Sequence, residues 1–171
     1  MISKKMEQAL NKQLNKEFFS AYLYLGMSAW SENRGLKGFA NWFYVQYQEE
    51  NFHAMKFYTY LLDQGAAVDL LAIEKPETDF SSPLEAFEKT LKHEQVVTKS
   101  INELVDLAIG EKDHATNAFL QWFITEQVEE EASVNEIIDN LKLVDGQGNG
   151  IFLIDKELGA KTFAQPDAGQ Q

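Results

Sequence analysis

Apolar residues recur every three or four positions over long stretches of the chain, which is the spacing of an α-helix with one buried face. The first such stretch carries Leu10, Leu14 and Tyr24 and ends near Gly35. Alternating apolar and polar runs typical of strands are scarce, and only three prolines interrupt the chain. The pattern therefore predicts an all-α protein.

Five helices are predicted from this periodicity and from the glycines that break it. Ser82-Pro83-Leu84-Glu85 is a capping box with proline at the first helical position, which marks the start of the third helix. The predicted ranges are about 4–33, 36–64, 83–110, 113–144 and 150–159, and the tail over 163–171 is predicted to be loose. We expect residues 1–171 to form a single domain.

The connection over 65–82 is much longer than the other breaks. Its 18 residues reach about 60 Å when extended, whereas a helix of about 28 residues is about 42 Å long. The connection can therefore run the length of the bundle, so that the third helix starts at the same end as the second. The sequence predicts a four-helix bundle with one long crossover connection plus a short fifth C-terminal helix.

The overall composition is that of an ordinary soluble globular protein, with 44% hydrophobic and 25% charged residues. Lys4, Lys5 and Glu7 interrupt the first ten residues, so no secretory signal is predicted and we expect a cytoplasmic location. No window approaches 18 consecutive apolar residues, so no membrane-spanning helix is predicted.

Cysteine content and net charge restrict the chemistry. The absence of cysteine excludes disulfides, thiolate zinc sites, iron-sulfur ligation and a cysteine nucleophile, which leaves oxygen and nitrogen ligands for any metal. A formal net charge of -12 argues against nucleic acid and anionic membranes as partners and is compatible with attracting cations.

A set of side chains of the kind that bind metals recurs once at a fixed offset. Glu94, Glu126, Gln127 and Glu130 stand 77 positions after Glu17, Glu49, Glu50 and His53, in that order. Each half is predicted to be a helix pair that projects one carboxylate against a Glu-x-x-His or Gln-x-x-Glu turn, because positions i and i+3 share a helix face. Two such halves would enclose two metal ions.

Glu17, Glu50 and Glu94 each interrupt an otherwise apolar helical stripe. An unpaired carboxylate in a core is costly, so that it protonates or finds a cation. Taken singly, each glutamate could be a misjudged helix face, but together the matched spacing favours a metal site. The two predicted sites are Glu17 with Glu50 and His53, and Glu50 with Glu94 and Glu130, where Glu50 bridges and Gln127 lies nearby. An oxygen-rich site with one histidine suits iron(II), and Zn(II), Mn(II) or Co(II) also fit.

Further candidates surround this predicted pair. Glu49, Glu126 and Glu129 are expected to form a third metal site, although a solvated acidic face is the alternative. Tyr24 follows Glu17 by seven positions, so its phenol could hydrogen-bond a ligand or donate an electron, or simply pack in the core. Trp122 is expected to pack, and His93 and His114 are expected at the surface or at an interface.

Four motifs together resemble the non-haem prokaryotic ferritins over about residues 1–160: GFANW at 38–42, EExxHA at 49–54, HE at 93–94 and FLxWFxxEQxEEE at 119–131. The resemblance implies a ferritin-like fold and a ferroxidase that oxidises iron(II) with dioxygen. It also implies storage of iron(III) as an oxyhydroxide mineral inside a homo-oligomeric cage of 24 chains.

The resemblance also assigns roles to individual residues. It implies a ferroxidase centre with Tyr24 as its neighbour and a third site beside it. The implied centre consists of Glu17, Glu50, His53, Glu94, Gln127 and Glu130, and the implied third site of Glu49, Glu126 and Glu129.

Where animal ferritins line a threefold pore with acidic residues, the matching positions here are Asn117 and Leu120, so iron entry by that pore is not predicted. Bacterioferritins have histidine at the position of Glu130 and a haem-binding methionine where this chain has Phe52, so no haem is expected.

Two other functions fit parts of the pattern. One is a ferritin-like oxidoreductase with a fixed di-metal cofactor, such as a peroxidase or oxygenase, although the lack of cysteine for a rubredoxin-like relay and the fifth helix argue against it. The other is a structural helical assembly whose carboxylates are solvated.

Overall fold

The computed structural model describes residues 2–164, and these form five α-helices without a strand among them. The helices are α1 (Lys4–Glu32), α2 (Lys37–Asp63), α3 (Pro83–Glu111), α4 (His114–Val144) and α5 (Gly148–Leu158). α1 packs along α2 and α3 along α4, while α5 contacts α2 and α4. The predicted all-α four-helix bundle with a short fifth helix is confirmed.

Side-chain caps fix the starts of three helices. Ser3 accepts a hydrogen bond from the backbone N–H of Met6, and Ser82 does the same for Glu85. Asp113 caps α4 by accepting from the N–H of Thr116 at 3.0 Å. Each cap satisfies a donor that the first turn of a helix leaves without an intrahelical partner.

The long connection over 64–82 is bound to α1 by two asparagines. Asn11 donates to the carbonyl of Ala67 and accepts from the N–H of Asp69, at 2.9 and 2.6 Å. Asn15 donates to the carbonyl of Asp69 and accepts from the N–H of Leu71, both at 2.7 Å. These asparagines hold the first part of the crossover along the side of the bundle.

The buried apolar residues form two clusters on either side of a polar layer. One cluster includes Trp42, Phe43 and Phe87, and the other includes Phe57 and Phe123. On each of α1, α2, α3 and α4, the predicted ligands fall between the residues of one cluster and those of the other. The two apolar clusters therefore hold the four helices together, and the middle of each helix carries polar groups.

Residues in three other parts of the chain bear on the expectations drawn from the sequence. Leu120, which the resemblance places at a threefold-pore position, is fully buried in the core of the isolated chain. Phe163, at the start of the tail that was expected to be loose, has its ring 6.4 Å from that of Phe52, and 165–171 lies outside the described residues. On α5, Ile154 and Leu158 are buried against their own bundle, whereas Phe152 is exposed.

None of the helices in the described part of the chain is long and apolar enough to cross a membrane.

Candidate metal centre

The structure brings Glu17, Glu50 and His53 together in the middle of the bundle. One ligand atom from each lies within 4.8 Å of the others, and the three side chains are at most 3% exposed. Glu50 and His53 share a face of α2 because they are three residues apart, and His53 Nδ1 lies 3.5 Å from Glu50 Oε2. This trio matches the first of the two predicted sites.

Three carboxylate oxygens at this position are buried without a hydrogen-bond partner. They are one oxygen of Glu17 and both oxygens of Glu50. A buried acceptor without a donor is costly, so oxygens left in this state fit a role as metal ligands. The imidazole and the free oxygens together form the kind of O-rich, single-histidine donor set that binds a divalent first-row ion.

The remaining predicted ligands are buried residues of α3 and α4. Glu94 accepts hydrogen bonds from the phenol of Tyr24 and, at 3.1 Å, from the Gln127 amide. Glu130 accepts from the amide of Gln46 at 2.7 Å. All of these side chains are buried. Among the described residues, Glu17, Glu50 and His53 are the group whose ligand atoms lie within 4.8 Å of one another, and Glu94 and Glu130 are not part of it.

Burial dominates the electrostatics of the centre. It raises the pKa of Glu17 to about 8, with the nearby charge of Glu50 acting in the same direction. Burial and the charge of Glu94 raise the pKa of Glu130 to about 7. The pKa of Glu50 is raised well above its ordinary value by burial and then by Glu94 and Glu130. A bound cation would favour the charged form of each of these carboxyl groups and so would lower their pKa values.

The third predicted site lies beside the paired site. Glu49, Glu126 and Glu129 line a cavity of about 210 Å³, and His53 and Glu130 line the same cavity. Burial, opposed in part by His53, raises the pKa of Glu126. The third acidic group is therefore continuous with the buried centre, while Glu131 instead accepts a hydrogen bond from Thr98 at 2.6 Å.

Tyr24 is fully buried and its phenol donates to Glu94. Burial and then the charge of Glu94 raise the pKa of Tyr24 well above its ordinary value, so the phenol keeps its proton and can orient that carboxylate. Of the roles considered for Tyr24, the structure therefore shows the hydrogen bond from its phenol to a predicted ligand, Glu94.

Two further aromatic residues lie near the centre. Trp122 packs, as expected, with its ring 5.4 Å from that of His53, and it also lines the cavity. His93, expected at the surface or at an interface, is half-buried beside Tyr24 in the isolated chain, with its Nε2 2.7 Å from the hydroxyl of Ser20. Burial lowers the pKa of His93 to about 4. His114 is exposed, as expected.

Sequence reasoning did not identify three polar side chains that contact the centre. Gln13 donates to Glu17 at 2.8 Å, Gln46 donates to Glu130, and Lys161 donates to Glu49 at 2.9 Å. Gln13 and Gln46 each precede a predicted glutamate ligand by four positions, so helical spacing carried a signal for them. Lys161 follows α5 and carries no such signal.

Comparisons with known proteins agree with this geometry. The family model described as a ferritin-like domain matches residues 7–144. The chain is 44% identical over 163 residues to the bacterial non-heme ferritin of Staphylococcus aureus (strain USA300), covering 95% of this chain and 98% of that protein. It is also 44% identical over 156 residues to the bacterial non-heme ferritin of Campylobacter jejuni, covering 91% of this chain and 93% of that protein.

Solved structures give the same result. The open pore ferritin from the hyperthermophilic archaeon Archaeoglobus fulgidus superimposes with a TM-score of 0.94 at 49% identity, covering 95% of this chain and 100% of that one. A humanized archaeal ferritin gives a TM-score of 0.95 at 48% identity, covering 96% of this chain and 100% of that one. Because both the family model and the sequence identity extend over most of the bundle that carries the buried carboxylates, this chain belongs to the ferritin family.

Proposed function

We propose that this protein stores iron and has ferroxidase activity, oxidising Fe(II) with dioxygen at the paired site and retaining Fe(III) as an oxyhydroxide mineral inside a homo-oligomeric cage. The observation that carries this proposal is Glu50, because both of its oxygens are buried without a hydrogen-bond partner and it forms a buried trio with Glu17 and His53. A carboxylate with both oxygens free can bridge two Fe(II) ions.

Two bound Fe(II) ions supply the electrons for the reaction. Each ion gives up one electron to a single dioxygen molecule, which takes up two protons and leaves as hydrogen peroxide. In this proposal the ligands of the centre are Glu17, Glu50, His53, Glu94, Gln127 and Glu130. Tyr24 orients Glu94 by donating its phenolic proton to the hydrogen bond between them. Two irons bind per centre, and the many carboxylates supply the hard oxygen ligands that Fe(III) prefers over softer donors.

Oxidised iron needs a route out of the buried pair. In our proposal Glu49, Glu126 and Glu129 form a third site through which iron passes. The shared cavity supports this step, because His53 and Glu130 line it together with these three glutamates. The negative charge of the chain favours the arrival of further Fe(II).

A cage of 24 copies would have a mass of about 470 kDa, since one chain is 19.5 kDa. Exposed apolar residues on α1 and on the crossover support an assembly of identical chains. These residues are Tyr22, Leu25, Leu70, Leu71 and Ile73, each at least 36% exposed in the isolated chain.

The test is anaerobic loading with Fe(II) followed by air, on the wild type and on Glu50→Ala. We expect fast oxidation of many more than about three irons per chain, retained in a particle that sediments as a large assembly, and much slower oxidation in the variant. Absorbance of Fe(III) follows the reaction. Glu103→Ala, which removes a carboxylate that is 66% exposed on α3, is the control and should behave as the wild type.

Two results would contradict the proposal. Saturation at two irons per chain with no mineral would indicate a fixed di-metal cofactor. Unchanged oxidation in Glu50→Ala would place the reaction at another site.

A further inference from the structure

The segment that follows α5 lies across the acidic cavity. Asn41 on α2 donates to the carbonyls of Leu158 and Lys161, at 3.2 and 2.9 Å, and so fixes the backbone of this segment. Farther along, the ring of Phe163 lies near that of Phe52, and Phe163 also lines the cavity. Residues 158–163 are thus held against α2 at both ends, which gives the side chain of Lys161 a defined position.

The ammonium group of Lys161 lies among the acceptors of the third acidic site. It donates to Glu49 Oε2 at 2.9 Å and to the side-chain carbonyl of Gln46, and it lies 4.8 Å from the centre of the Trp42 ring. The side chains of Lys161 and Glu49 are only 25% and 24% exposed. An ion pair of this kind is less screened by solvent than a fully exposed pair.

Gln46 connects this ammonium group to the paired site. Its side-chain carbonyl accepts from Lys161, while its amide donates to Glu130 Oε2 at 2.7 Å. The orientation of the Gln46 amide therefore satisfies both groups at once, because the carbonyl faces the cation and the NH₂ faces the carboxylate. Displacing Lys161 would remove one of the two contacts that fix Gln46 beside Glu130.

We propose that Lys161 is a tethered cation that occupies the third acidic site and competes with metal ions for Glu49. The proposal rests on the function proposed above, since it concerns the same carboxylates. A divalent ion bound by Glu49, Glu126 and Glu129 would repel the ammonium group, and both would draw on the same Glu49 carboxylate. Lys161 therefore leaves Glu49 when metal enters, and it neutralises Glu49 again when the metal moves on. The site releases iron more readily than three uncompensated carboxylates would.

A second positive charge near this cavity belongs to Lys56. Its ammonium group lies 4.2 Å from the centre of the Trp122 ring, and its charge acts on Glu126. Lys161, by contrast, donates directly to a carboxylate of the site. Of these two lysines, Lys161 is therefore the one that competes for a ligand carboxylate.

The test is anaerobic calorimetric titration of the assembled protein with Zn(II), which fits the same ligands and does not change its oxidation state. The heat of Zn(II) binding at the third site is identified as the part of the signal that is lost in Glu126→Gln. The heat of binding at the paired site is the part that is lost in Glu50→Ala. We expect Lys161→Met to bind Zn(II) about threefold to tenfold more tightly at the third site than the wild type does. Lys161→Arg keeps the charge and should behave as the wild type.

Lys156→Met is the matched control, because it removes the same charge from an exposed position on α5. Equal or weaker third-site binding in Lys161→Met would overturn the competition, as would an equal gain in Lys156→Met. A third-site heat absent from both the wild type and Lys161→Met would also overturn it. If the wild type shows no binding that Glu50→Ala removes, the proposed function fails together with this inference. Intact paired-site binding with an unchanged third site overturns the inference alone.

Discussion

At the residue scale, the protonation of Glu17 links metal binding to stability. Its pKa in the folded protein is about 8, because of burial and the charge of Glu50, against an ordinary value of 4.5. The unfolded chain therefore binds fewer protons than the folded one between these two values, and the free energy of unfolding falls as the pH rises. For one such group the fall is about 1.4 kcal/mol per pH unit.

We therefore expect the metal-free protein to be more stable near pH 5 than near pH 8, with Glu17→Gln removing part of this dependence. Urea unfolding of both proteins, followed by circular dichroism at several pH values, measures the effect. The free energy of unfolding of Glu17→Gln, relative to that of the wild type, should grow with pH up to about 8. Parallel curves for the two proteins would show that Glu17 does not hold a proton in the fold.

Gln13 fixes the direction of Glu17. Its amide donates to Glu17 Oε1, while its carbonyl accepts from Ser100, which in turn accepts from Lys16 at 2.6 Å. Groups that orient a ligand typically change metal affinity by about tenfold or more when they are removed. Gln13→Leu should therefore weaken Zn(II) binding at the paired site about tenfold in calorimetric titration. Gln8→Leu, at an exposed position on the same helix, should have no effect, and equal losses in the two variants would contradict the role of Gln13.

The chain pattern predicted the buried ligand positions because each is a polar residue at a helical step within an apolar stripe. Glu17, Glu50 and Glu94 stand out in this way. The groups that hold them were not predictable in the same way. Whether Gln46 bonds to Glu50 on its own helix or to Glu130 on α4 depends on how two helices pack, and Lys161 reaches Glu49 only through the path of the chain after α5.

At the element scale, the docking of α5 on α2 requires a glycine. A Cβ on Gly38 would lie 1.5 Å from the carbonyl oxygen of Asp155, and the Asp155 carboxylate accepts from the N–H groups of Gly38 and Phe39 at 2.8 and 3.0 Å. Gly38→Ala should therefore destabilise the protein by about 1–3 kcal/mol through overpacking, despite the higher helix propensity of alanine.

Gly110 on α3 is the control for this substitution, because a Cβ there would meet nothing within 4 Å. Gly110→Ala should raise the thermal midpoint slightly, in line with a gain of about 0.5–1 kcal/mol, while Gly38→Ala should lower it. Thermal unfolding followed by circular dichroism compares the two. A rise in both variants would show that α5 can move away from α2 at little cost.

The periodicity of apolar residues predicted the helices, but the sequence did not predict which residues contact the crossover. In the sequence, Asn11 and Asn15 are ordinary polar residues of the first helix, but in the structure they form hydrogen bonds with the backbone of the crossover over 64–82. The resemblance placed Leu120 at a pore position, but its side chain is buried in the apolar cluster that all four long helices share. Periodicity shows which residues share one face of a helix, but it does not show which other segment that face contacts. Contacts between distant segments therefore require the three-dimensional structure.

At the scale of the whole molecule, a buried polar layer divides the core into two apolar clusters, and the fold leaves apolar side chains exposed on α5. Phe152 and Leu153 on α5 are 66% and 65% exposed, although Ile154 and Leu158 of the same helix are buried. A helix that is apolar on both faces needs a second partner, and a neighbouring subunit in the proposed cage would supply it.

The double variant Phe152→Ser with Leu153→Ser should therefore shift the protein from a large assembly toward smaller species. Loss of two large apolar side chains removes a few kcal/mol of burial at every copy of such a contact, and a closed assembly repeats the contact many times. Sedimentation velocity measures the distribution of sizes. Lys156→Ser changes an exposed polar position on the same helix and should leave the size unchanged. An intact assembly in the double variant, with a normal circular dichroism spectrum, would show that this face of α5 does not hold the subunits together.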